Sequence, residues 1–114
     1  MLLSHNAQIA FAADPAGMKV ERNIPYVENG HPNQVLDLSL PERPSDQPLP
    51  LMIWIHGGAW MGGSQGFVPV LYLVDRGFAV ASIQYRFSSH AVWPAQAYDC
   101  RAAIWRPLSA PAVT

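Results

Sequence analysis

Leu51-Met52-Ile53-Trp54-Ile55-His56-Gly57-Gly58-Ala59-Trp60 is the stretch on which the reading of this chain turns. Five apolar residues in a row suit a strand buried on both faces, as in a parallel sheet covered by helices. A glycine-rich loop from Gly57 to Gly66 follows directly. Downstream, Phe67 to Asp75 has a helical pattern with Val70, Leu71 and Val74 on one face. It is expected to stop at Arg76-Gly77, a cation in the last turn before a C′ glycine. Phe78 to Tyr85 reads as a second strand, rich in β-branched and aromatic residues. Pro94 is placed to open a helix ending near Trp105, whose apolar stripe is Ala97, Cys100, Ala103 and Ile104. Strand, helix, strand, helix at this spacing predicts a right-handed parallel crossover and an α/β fold.

Upstream of the decisive stretch the pattern is antiparallel. Lys19 to Val27 reads as a strand with Val20, Ile24 and Val27 as apolar positions, demoted to an edge by Pro25. Glu28-Asn29-Gly30-His31-Pro32 carries an Asn-Gly turn signal. Gln34 to Leu40 alternates, with Leu36, Leu38 and Leu40 on one side, so a half-buried strand closes an N-terminal hairpin. Pro41 to Pro50, proline-rich and polar, is a loop.

Composition narrows the function classes. Half of the 114 residues are hydrophobic and 13% are charged, the opposite of a disordered chain. A formal charge of -1 with scattered basic residues argues against nucleic-acid binding. No apolar run approaches the ~20 residues of a transmembrane span. Cys100 is a single cysteine, hence no intramolecular disulfide, and its helical setting suggests a buried, inert thiol. His5, His31, His56 and His90 lie at no metal-ligand spacing, so neither a metal nor another cofactor is implied. Ala10-Phe11-Ala12 resembles a signal-peptidase site and raises secretion or periplasmic export. No basic residue precedes it, however, so a cytoplasmic chain with an unordered lead stays open.

A glycine loop after a parallel strand serves either a phosphate or an oxyanion. The phosphate spellings G-x-G-x-x-G and G-x-x-x-x-G-K-[ST] are both absent. An oxyanion needs backbone N–H groups aimed at the developing charge, each worth roughly 3–4 kcal/mol in the transition state. Small residues let the backbone come close, and ligands of open α/β sheets bind at strand C-termini. His56-Gly57-Gly58-Ala59-Trp60 meets those needs.

The segment Leu51 to Arg86 closely resembles the α/β-hydrolase esterase and lipase family. The branch is the one with the HGG motif, that of acetyl esterases and hormone-sensitive-lipase-like carboxylesterases. Leu51–Trp60 resembles its third strand and oxyanion loop, Gly77–Arg86 its fourth strand, and Pro94-Ala95-Gln96 with Asp99–Ile104 the helix after it. The likeness covers about residues 19–105. It implies that the Gly58 and Ala59 N–H groups are oxyanion donors and that Gly57 shapes the turn. By the same likeness the His56 side chain supports the loop, Trp60 lines the acyl or alcohol pocket, and the full-length parent cleaves a small-molecule ester.

The resemblance also implies a Ser, Asp or Glu, and His triad with serine in a G-x-S-x-G elbow between a strand and a helix. Gly62-Gly63-Ser64-Gln65-Gly66 matches in letters only, because Ser64 sits within the oxyanion loop. His90 precedes the place where the nucleophile belongs and reads as a surface loop residue. Asp99 is expected to pair with Arg86. Family members continue the last helix, whereas here Arg106-Pro107 is expected to break it. A frameshift, deletion or mis-assembled gene would give such a change. The domain reading is therefore a lead at 1–18, a partial α/β-hydrolase domain at 19–105 and an irregular tail at 106–114. The fifth strand, which pairs the third in the family, is missing, so Leu51–Ile55 would be an unpaired apolar edge. The expectation is a truncated carboxylic-ester hydrolase without a triad, inactive alone. The alternatives are a non-catalytic binding module and a half-enzyme complemented by a separately encoded partner.

Overall fold

The computed structural model describes residues 15–43 and 45–108, with the side chains of 107 and 108 excepted. The Ala-Phe-Ala stretch and the last six residues lie outside the described residues. Four strands, β1 (Met18–Pro25), β2 (Val35–Pro41), β3 (Leu51–Ile55) and β4 (Ala79–Ile83), form one mixed sheet in the order β1-β2-β4-β3. β1 and β2 make the antiparallel hairpin, β2 pairs β4 antiparallel, and β3 pairs β4 in parallel. The fold is the α/β one expected, an antiparallel hairpin leading into a parallel pair.

β4 occupies the middle of the sheet, and every one of its residues is buried. Period-two alternation sends Ala79, Ala81 and Ile83 to one face, with Leu36, Leu38 and Leu40 of β2. The α-helix α1 (Ala95–Leu108) covers that face through Ala103 and Ile104. Val80 points to the other face, where it meets Met18 and Val74 beneath a short 3-10 helix, Leu71–Arg76. The continuous apolar run of β3 is not the doubly buried strand it suggested. It is, with β1, one of the sheet's two outer strands among the described residues, half-buried, with Ile55 39% exposed. Its expected role as an apolar edge is what the structure shows.

Three element boundaries differ from the sequence reading. The helix expected over 67–75 forms only as the six-residue 3-10 segment. Pro69 has no N–H to give, and i→i+3 bonds (Leu71 N–H to Val68 O, Leu73 N–H to Val70 O) tighten the chain. Gly77, at φ 90°, caps it as expected, with its N–H on Val74 O. Met18, expected in the lead, already pairs with Pro41 and packs on Val74. Arg106-Pro107 does not break α1, which runs to Leu108. A proline one residue from the last removes one N–H and leaves the preceding turns intact, and Arg106 suits the negative end of the helix dipole.

The buried stripe of α1 is also rotated from the expected one. Gln96, Asp99, Cys100 and Ala103 face inward, and Ala97 is exposed. Gln96 donates to Ala91 O in the loop before the helix, and Asp99 is buried because partners wait at the strand ends. Asp99, 2% exposed, accepts from Arg86 Nε (2.9 Å), Nη2 (2.8 Å) and backbone N–H (3.0 Å), and from Gln34 Nε2 (2.8 Å). The expected Arg86–Asp99 pair thus exists, as a bidentate bridge that also ties in the start of β2. Burial is the largest single influence on the Asp99 carboxyl and opposes ionisation. The hydrogen bonds from Arg86 and Gln34 together outweigh it, and its pKa falls below the usual value.

Replacing Asp99 with Asn takes the counter-charge and acceptor from the part-exposed Arg86 guanidinium, so the unfolding free energy should fall by roughly 1–3 kcal/mol, read from the urea midpoint. Because folding lowers this pKa, the carboxylate's contribution is complete above the ordinary value of ~3.9 and disappears as pH falls through the lower folded value. The Asp99→Asn chain should lose that segment of its acid-unfolding profile. Cys100 is buried, and burial first, the Asp99 carboxylate second, push its thiol up to about 11. It should resist an aromatic disulfide reagent at pH 8 in the folded chain and react within minutes in urea.

Candidate active site

The loop after β3 is folded back on itself. Gly58 has φ 125°, and a Cβ there would run into the Gly62 carbonyl. The Met61 N–H bonds to Gly58 O at 2.9 Å and closes a four-residue turn. Its central residues, Ala59 (φ 55°) and Trp60 (φ 63°), are both left-handed, as a type I′ turn requires. For two residues carrying a Cβ, that conformation costs on the order of 1–2 kcal/mol each. Gly57 needs no such freedom, since a Cβ on it would meet nothing within 4 Å. The steric demand for glycine falls on Gly58 and on Gly63, where a Cβ would strike the His56 ring.

The strain is held by contacts from the segment that leaves β4. His56 is buried, and its Nε2–H donates to Gln84 Oε1 at 2.5 Å, while Nδ1 lies 2.6 Å from Gly57 O. The Gln84 Nε2 donates to Gly63 O at 3.2 Å, which fixes the orientation of its amide and grips the far side of the loop. Tyr85 stacks on the His56 ring at 4.6 Å between centroids and donates its hydroxyl to His56 O at 2.9 Å. Burial, and then Cys100, raise the Tyr85 pKa, so the phenol remains a donor. Trp60 packs edge-on against Tyr85 and tilted against Trp93, and its carbonyl accepts the Ser88 N–H at 2.7 Å.

The result is an exposed peptide stretch whose Gly58 and Ala59 N–H groups have no acceptor among the described residues. They lie at the C-terminal end of a parallel strand. Beside them, Ala59, Trp60, Met61, Ser88, Trp93 and Gln96 line an open cleft of about 310 Å³. None of these six side chains is charged.

Nothing comparable surrounds the other candidates. Ser64 is exposed in the loop, nine residues past the end of β3, and accepts the Gly66 N–H at 3.0 Å. No helix follows it directly, so the elbow geometry is absent at this serine. His90 is exposed, accepts the Phe87 N–H on Nδ1 at 3.0 Å, and lies against His31 with 4.4 Å between rings. Asp99 is committed to Arg86 and Gln34. No serine hydroxyl or cysteine thiol is hydrogen-bonded to a histidine among the described residues. No group of three or more His, Cys, Asp or Glu among them could hold a metal ion.

The BD-FAE family model matches residues 36–106, from β2 through the loop and cleft to α1. The chain belongs to the BD-FAE family. Esterase LipC of Mycobacterium tuberculosis is 36% identical over 76 residues, 64% of this chain and 19% of that protein. A probable isoprenylcysteine alpha-carbonyl methylesterase of Arabidopsis thaliana is 39% identical over 70 residues, 60% of this chain and 16% of that protein. Esterase B of Lactobacillus rhamnosis, solved with an ester-like phosphonate inhibitor, superposes with a TM-score of 0.73 at 26% identity. The match takes in 96% of this chain and 37% of that one. A truncated carbohydrate esterase from gut microbiota gives 0.66 at 32% identity, over 75% of this chain and 31% of that one. This chain thus spans less than a fifth of these two curated relatives, and about a third of these two solved esterases. Its fold and ancestry are those of an α/β-hydrolase esterase.

Gln84 went unmarked in the sequence reading. A lone glutamine inside the apolar run Phe78–Tyr85 was the available signal, since a buried amide demands partners. Replacing Gln84 with Leu should release the loop while sparing the sheet. Amide exchange over residues 57–63 is expected to accelerate by roughly ten- to a hundredfold, with the β4 amides unchanged. Equal acceleration in both would show that Gln84 supports the whole fold instead.

Proposed function

We propose that this chain is the oxyanion-hole part of a carboxylic-ester hydrolase acting through an acyl-serine, and that it performs no triad-dependent catalysis by itself. The observation that carries this reading is the pair of unpaired N–H groups of Gly58 and Ala59 on a braced, strained turn beside an uncharged cleft. In ester cleavage the carbonyl oxygen takes up negative charge as the tetrahedral intermediate forms. Fixed donors that need not reorganise stabilise it more than they stabilise the neutral ester. In this reading His56 braces the loop and is no general base, because both ring nitrogens face partners inside the protein. Trp60 forms the wall on which the acyl or alcohol group rests. The substrate is a small neutral ester, in keeping with the inhibitor-bound esterase B.

The nucleophile and its base come, in this reading, from polypeptide beyond the matched segment. The free edge of β3 and the length of the solved esterases support that assignment. Purified chain is expected to turn over p-nitrophenyl acetate no faster than buffer. An activity that disappears on Ser64→Ala would overturn the reading. Grafted in place of the matching segment of esterase B, the chain is expected to sustain turnover. In that hybrid, Gly58→Ala should lower kcat by roughly 10²–10³ with little change in KM.

A further inference from the structure

The returning arm of the loop after β3 is held from two strands at once. Ser82, 1% exposed in β4, donates its hydroxyl to Gln65 O at 2.7 Å. The half-buried Gln65 side chain reaches the other way, and its Nε2 donates to Asn23 Oδ1 at 3.0 Å. Asn23 belongs to β1, 42 residues upstream, ahead of the segment 36–106 that the family model matches. The strand is shaped to present it. Glu21 faces Leu38 and Ile24 faces Leu36, three steps along β1 against two along β2. The extra residue makes a β-bulge, which bends a strand and re-aims a side chain. Asn23 takes φ 56° there, and its N–H is held by Asp37 Oδ1 at 2.9 Å. Blunting an edge strand needs the bulge but no particular side chain at this position. Glycine would adopt φ 56° without steric cost, whereas asparagine is strained and contributes an acceptor. Gln65 uses that acceptor.

We propose that Asn23 is a positioning residue for the oxyanion loop, acting through Gln65. The route to the donors is steric. The Gly62 carbonyl occupies the space a Cβ on Gly58 would need, and Gly63 lies against the His56 ring. The returning arm is thus pressed onto the outgoing one, and a tether on Gln65 limits how far residues 62 and 63 can lift away. The purpose of the hold rests on the oxyanion reading above; the hold itself is a property of the loop.

The test is amide exchange by NMR on the 114-residue chain and on Asn23→Gly, Gln65→Met and the double variant. Asn23→Gly removes the acceptor while relieving the backbone, so the urea midpoint should stay close to its original value. The amides of residues 62–66 should nevertheless exchange roughly two- to fivefold faster, and the Gln65 carboxamide and the Gly58 and Ala59 amide signals should shift. In the double variant the acceleration should equal that of Gln65→Met alone, because Asn23 acts only through that side chain. Unchanged exchange at 62–66, effects that add in the double variant, or equal acceleration in the β1 and β2 amides overturns the role of Asn23. Gln65→Met leaves the bulge intact, so it decides the matter even where Asn23→Gly does not fold: loop amides unmoved in it overturn the proposal. None of these readouts uses ester turnover, so such a failure leaves the oxyanion reading standing. That reading fails separately, if Gly58→Ala leaves kcat of the esterase B hybrid unchanged.

Discussion

A single buried carboxylate organises the site end of this molecule. Asp99 accepts four hydrogen bonds, three from Arg86 and one from Gln34, and so joins the helix to the segments leaving β4 and entering β2. Pinning the Arg86 backbone also places Gln84 and Tyr85, the two residues just before it. Those two hold the loop after β3 by its His56 ring, its Gly63 carbonyl and its His56 carbonyl. Helix, sheet and loop therefore share one polar network with few spare donors. Such a network is stiff when complete, and expensive when one member is lost.

That stiffness is what the loop needs. A turn with Ala59 and Trp60 both left-handed would relax if it were free. Aromatic packing on Trp60 and the amide of Gln84 hold it in place, which in the proposed reading fixes the donors before a ligand arrives. Preorganisation of this kind is how backbone amides stabilise an oxyanion without reorganising during reaction. The same construction leaves His56 fully engaged in support. A histidine beside a glycine-rich loop thus has a structural occupation here that its sequence position alone does not distinguish from a catalytic one.

The sheet is asymmetric in its packing. β4, central and buried on both faces, is protected by neighbours on either side. β3, with five apolar residues in a row, is covered from one edge only. In the solved esterases that share this fold the matched part is about a third of a larger chain. The apolar character of β3 suits a strand flanked on both sides, and an outer strand so apolar is a template for further pairing.

Much of the fold was legible in the sequence. Alternation in Val35–Leu40, the Asn29-Gly30 turn, the Gly77 cap and the run Leu51–Ile55 all report backbone preferences that act within a few residues. The loop His56–Trp60 was legible for the same reason: only small residues permit such close backbone approach, and they must sit together. The Arg86–Asp99 pair was accessible too, since both residues flank one loop. What the chain could not disclose locally was which long-range neighbour each buried polar atom would meet. His56 finds Gln84 28 residues on, and Gln34 finds Asp99 65 residues on. With Asp99 bound to Gln34 and Arg86, the buried face of α1 is turned from Ala97 onto Gln96 and Asp99. Local periodicity fixes that a face is buried. The register of that face belongs to the tertiary structure, because burial of a carboxylate such as Asp99 is tolerated only where partners from distant segments converge.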